Sequence, residues 1–148
     1  MLTAMFDAFH ILAVLATLAG LLIVMVASKP VITAEDLRSI NIVYSLTAVT
    51  LVLAASAGLM LWLGSAGKPS EFYSGNPIFH AKMGLFGLVL LLAAYAAHRF
   101  RALQRQYGAN TSDSISVAGP LRAVQKLTFI LALILPVLAW LMARGIGY

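Results

Sequence analysis

Residues 7–27, DAFHILAVLATLAGLLIVMVA, decide what kind of molecule this is. Between His10 and Lys29 there is no ionisable side chain. A helix rises about 1.5 Å per residue, so some 20 such residues cross the roughly 30 Å hydrocarbon core of a bilayer. No Lys or Arg precedes Lys29, so the positively charged start of a cleaved secretion signal is missing and a retained transmembrane helix is expected.

Outward from this stretch the pattern recurs. Residues 40–64, 77–98 and 127–143 are also long and apolar, giving four spans. The chain is 61% hydrophobic and 10% charged, with a mean hydropathy of +0.95, whereas a soluble domain carries roughly a quarter charged residues. Short connections return each helix beside the last. The expected fold is therefore all-α, an integral membrane antiparallel four-helix bundle forming a single transmembrane domain over residues 1–148. With no cysteine, disulfides, thiolate metal sites and cysteine nucleophiles are excluded.

The net charge of +5 suggests nucleic acid at first sight, but the cations lie between apolar segments and read as topology signals, so no nucleic-acid partner is expected. Lys29 and Arg38 lie in the first connection. Arg99, Arg101, Arg105, Arg122 and Lys126 lie in the third. Lys68 and Arg144 are on the opposite side, so the positive-inside rule places both termini and the second connection outside.

Local signals refine the elements. Thr33 followed by Glu35 and Asp36 is an N-cap pattern for a short interfacial turn leading into the second span. RALQRQY, residues 101–107, has no breaker and extends the third helix as far as Gly108. Pro136 predicts a kink in the fourth. Small residues such as Ala54 and Gly58 mark faces where helices approach closely or where room is cleared for a flat cofactor. No internal repeat and no polar stripe through the membrane supports a channel or transporter.

An ionisable group at mid-bilayer costs about 2.5–3.5 kcal/mol on insertion scales, so such groups call for a partner or a cavity. His10 on the first span and His80 and Lys82 on the third start close to the outer end, within roughly 5 to 8 Å of the interface. Asp7 precedes His10 by one turn and can orient the imidazole or pair with Lys82. His80 and Lys82 are two residues apart, about 200° around a helix, and cannot share a face. His80 lies with Gly84 and Gly87, which predicts that it faces a neighbour, while Lys82 lies with Phe79, Phe86 and Val89 and is expected to snorkel to water. Two readings stay open: His10 and His80 hold a b-type haem between two helices, with Lys82 at a propionate and Asp7 as the outer support, or both are interfacial histidines hydrogen-bonded to neighbours; no metal-ion site is expected. Asn41, Tyr44, Tyr95 and His98 form a second polar set at the opposite end.

Two resemblances add to this. GSAGKPSEFYSGNPIFHAKMGLFGLVLLL, residues 64–92, together with the ending LPVLAWLMARGIGY, resembles a bacterial family of small four-helix integral membrane proteins that carries only a domain-of-unknown-function label. This implies a fold and a bacterial cytoplasmic (inner) membrane, but no activity. More distantly, AFHILAVLATLAGLL and FHAKMGLFGLVLLLAAYAAH are similar in layout to HemJ-type protoporphyrinogen oxidases and CopD-type membrane proteins. The HemJ likeness implies haem b and assigns function to His10, His80 and Lys82. The expected function is thus a small polytopic membrane protein binding haem b in a redox or porphyrin-related role. The alternative is a non-catalytic accessory subunit packed against a larger membrane complex, or a homo-oligomer within the lipid bilayer.

Overall fold

The computed structural model describes residues 2–64, 68–107 and 114–147. Four long helices carry the fold: α1 (Leu2–Ala27), α2 (Ala34–Leu63), α4 (Pro77–Tyr107) and α5 (Gly119–Ala143), with a short α3 (Ser70–Ser74) between the second and third of them. All four are long and apolar enough to cross a membrane, and their most apolar stretches are at most 28% buried within the protein. The remaining surface is apolar, as at Leu91 and Val26, 69% and 65% exposed. In water that surface would be unstable; in lipid it is the solvent-facing side.

Each boundary has a local cause. α1 stops at Ser28–Lys29–Pro30, where the Ser28 hydroxyl folds back to the Val24 carbonyl at 2.6 Å and Pro30 cannot extend the helix. α2 begins with a complete capping box: Asp36 N–H donates to Thr33 Oγ1 at 3.1 Å and Thr33 N–H to Asp36 Oδ2 at 3.0 Å. The expected interfacial turn is thus the first turn of α2 itself, six residues before the predicted span. Asn76 starts α4, its Oδ1 accepting from Ile78 N–H at 2.8 Å with Pro77 in the first turn. α4 runs on to Tyr107 as expected, and Gly108 lies outside the described residues. α5 starts at Gly119 rather than 127, because Leu121, Gln125 and Thr128 supply a buried face that apolarity alone does not reveal.

The long helices form a ring in the order α1, α2, α4, α5, closed by α5 on α1. Helices α1 and α4 therefore stand diagonally across the bundle. The α1–α2 seam is built from small and hydroxylated residues in antiparallel register. His10 meets Ala54, Thr17 meets Thr50 at 2.9 Å between hydroxyls, and Gly20 meets Thr47 so closely that a methyl on Gly20 would overlap the Thr47 hydroxyl. Polar groups thus do recur along this seam, contrary to the expectation from sequence. Thr17 and Thr47 also donate to carbonyls one turn back, at 2.9 and 2.8 Å, so these rungs are packing contacts.

Two further features escaped the sequence reading. The first and third connections pair as a two-residue antiparallel ladder, β1 (Val31–Ile32) with β2 (Ile115–Ser116), extended by Val117 N–H donating to Pro30 O at 2.9 Å. It covers a buried cluster that includes Ile32, Leu37, Phe100, Ile115 and Leu121. Beneath it the Gln125 amide donates to Ser28 Oγ at 2.8 Å and lies 3.1 Å from Tyr44 Oη, while Asn41 donates to Phe100 O at 3.2 Å. Of the second polar set, Asn41 and Tyr44 are thus interior, and Tyr95 and His98 are exposed.

Candidate functional site

The site candidate lies at the end that holds both termini and α3. His10 projects from α1 against α2, partly buried, with Nδ1 2.8 Å from the Ala54 carbonyl. A carbonyl oxygen can only accept, so Nδ1 carries the proton and Nε2 is the nitrogen left for a ligand. The ring fits because position 58 is glycine: a Cβ there would stand 3.1 Å from His10 Cε1. The small pair Ala54 and Gly58 therefore does clear room for a flat ring, and that ring is the imidazole.

Lys82 approaches from across the diagonal. It is partly buried, it lies within electrostatic reach of His10 together with Asp7, and among the described residues it makes no hydrogen bond or ion pair. Asp7 is exposed, one turn from His10. Two basic side chains thus lie within electrostatic reach of one another, and Asp7, the carboxylate that also reaches His10, is exposed. The arrangement favours an acidic ligand that also accepts coordination or a hydrogen bond at Nε2.

His80 is placed elsewhere. It is exposed, its Nε2 donates to the Ser74 carbonyl at 2.8 Å, and its ring lies edge-on to Phe79 at 5.9 Å. The expected division of faces is therefore reversed: Lys82 turns inward and His80 outward. The core face of α4 is set by Phe79, Val89, Ala93, Ala96 and Phe100, all buried, whereas Gly84 and Gly87 meet nothing within 4 Å. Large apolar side chains fill the interior between four helices; the glycines lie on the outside. His10 and His80 thus project from diagonal helices in different directions, and no group of three metal-ligating side chains forms among the described residues.

Asn76 orders the same end of the bundle. It is fully buried, caps α4, and its Nδ2 lies 3.3 Å from the Ile146 carbonyl in the turn that follows α5. Trp62 and Tyr73 meet Phe79 in tilted and edge-on contacts, with centroids 4.9 and 5.7 Å apart. The aromatic cluster and the Asn76 latch fix the end of the bundle where His10 and Lys82 lie.

Comparison with known proteins gives a family but no activity. No curated protein and no solved structure matches the chain. A family model described as "Predicted membrane protein (DUF2214)" matches residues 2–147. With four membrane-length apolar helices and nearly the whole chain matched, the protein belongs to this family of membrane proteins.

Proposed function

We propose that this protein binds haem b in the half of the membrane nearer its termini, with His10 Nε2 as the iron ligand and Lys82 paired with a propionate. The observation that carries the reading is the His10 hydrogen bond: Nδ1–H donates to the Ala54 carbonyl, the support that metal-ligating histidines ordinarily have, and Nε2 is left for coordination. Lys82 makes no hydrogen bond or ion pair among the described residues and suits a carboxylate-bearing ligand. His80, exposed and bonded to Ser74, supplies the weaker case for a second ligand. A bound haem would supply one-electron chemistry; the chain's contribution is to orient His10 and neutralise a propionate. The role is redox or porphyrin-related, in a bacterial inner membrane with both termini outside.

Absorption spectra of membranes and of the purified protein, expressed with added haem precursor, test this. The expected result is a Soret band that His10→Ala abolishes, Lys82→Gln weakens and His80→Ala leaves in place. Colourless wild-type protein would overturn the proposal. A second reading, an accessory subunit of a larger membrane complex, is favoured by the open outer face of α4 at Gly84 and Gly87. Stoichiometric partners after mild detergent extraction, lost in Gly84→Leu, are its expected signature.

A further inference from the structure

The end of the bundle opposite the termini carries positive charge that exceeds the negative charge of the described residues there. Every long helix brings a cation to it: Lys29 just after α1, Arg38 in α2, Arg99 and Arg105 near the end of α4, and Arg122 and Lys126 at the start of α5. All are exposed except Arg122, which is partly buried. The acids at this end among the described residues are Glu35 and Asp36, and Asp36 is taken up by the Thr33 cap. Arg101 reaches a protein acceptor, Ser45 Oγ, at 3.4 Å. At the other end, by contrast, Lys68 sits over Phe72 at 3.9 Å and Arg144 over Trp140 at 4.5 Å.

Tertiary structure draws part of this charge together. The Gln125 bond to Ser28 Oγ, at 2.8 Å, sets Lys29 beside the turn that bears Arg122 and Lys126. Pro30, next to Lys29, is tied to Val117 at the entry to α5. Arg99 and Arg122 each adjoin a member of the same buried cluster, Phe100 and Leu121. Within this group the Arg122 Nε–H is enclosed by the protein and has no acceptor among the described residues. A buried guanidinium donor without a partner is costly, and it calls for an oxygen that the described residues do not supply. α5 also starts without a side-chain cap, at Ala118 with Pro120 following, so the partial positive charge of its N-terminus adds to the same region.

Depth identifies the anion. One to two turns toward the membrane from Arg99 and Arg122, the surface becomes apolar and exposed, with Tyr95 and Leu91 on α4 (51% and 69%) and Leu127 and Ile130 on α5 (47% and 56%). The cations therefore stand where acyl chains give way to headgroups, and an aromatic such as Tyr95 favours that boundary. We propose that this end binds the phosphate groups of anionic phospholipids in the leaflet it faces, chiefly through Lys29, Arg99, Arg122 and Lys126. Basic groups between spans on one side of a membrane are suited to such headgroups.

The full-length protein, extracted from nanodiscs of equal phosphatidylglycerol and phosphatidylcholine, would be weighed with its retained lipids by native mass spectrometry. The expected result is preferential retention of phosphatidylglycerol, reduced about tenfold in R99Q/R122Q/K126Q and unchanged in K68Q/R144Q. If the triple variant does not fold, K29Q/K126Q, which alters two exposed residues, is expected to show a smaller loss in the same direction. Equal retention of the two lipids, or unaltered preference in the variants at the basic end, would overturn the proposal. Displacement of the lipid by millimolar inorganic phosphate would also overturn it, assigning the site to free phosphate.

Discussion

At the residue scale Gly20 is an exacting position in the helix seam. A side-chain methyl there would overlap the Thr47 hydroxyl across the α1–α2 seam, and neither backbone can retreat without opening the seam. Gly20→Ala is expected to destabilise the bundle by about 1–3 kcal/mol, the usual cost of overpacking, read as a lowered midpoint in detergent unfolding. Gln125 poses the opposite problem. Its amide nitrogen lies near Val24 O, Ser28 Oγ and Tyr44 Oη, yet its Oε1 is buried without a partner among the described residues. Gln125→Leu removes those bonds and the orphan oxygen together, so its expected cost is small, about 1 kcal/mol or less, since interhelical hydrogen bonds in membranes average about 0.6 kcal/mol. A loss well above 2 kcal/mol would show that the orphan oxygen has a partner. For the candidate site, depth along the helices was legible and direction was not. His10 and Lys82 do share a layer, but which of Lys82 and His80 turns inward depends on where Phe79 and Val89 pack.

At the scale of elements, helix ends were read well where a side chain does the capping. Thr33 and Asp36 form the box their spacing announces; the cap of α4 is Asn76. Asn76→Ala removes both the cap and the link to Ile146, and is expected to cost about 1–2 kcal/mol while freeing the turn after α5. Faster amide hydrogen exchange over residues 144–147 than in the parent protein is the measurement that checks this. The ladder of β1 with β2 could not be read, because two-residue strands carry no periodicity. Its partners are some 84 positions apart (Val31 with Ser116, Ile32 with Ile115), and it forms because the helices bring the two connections to one end. The early start of α5 escaped for a related reason: Arg122, Gln125 and Lys126 look like loop until Gln125 is seen bonded to α1.

At the scale of the whole molecule, charge asymmetry predicts a topology that a cysteine-free chain makes simple to test. Ser70→Cys and Ser114→Cys are exposed at opposite ends of the bundle. In intact cells Ser70→Cys is expected to react with a membrane-impermeant maleimide, and Ser114→Cys only after permeabilisation. Labelling of both without permeabilisation would contradict a four-span arrangement; the reverse pattern would invert the orientation. The sequence by itself determined that the chain has four apolar helices, that their connections are short and where charge gathers, because a bilayer imposes length and apolarity on each span separately. Tertiary structure alone decided the ring order, the inward turn of Lys82, the outward turn of His80 and the joining of the two connections. Those depend on which faces interlock, and lipid, as apolar as any side chain in the spans, gives the sequence no hydrophobic contrast by which to declare them.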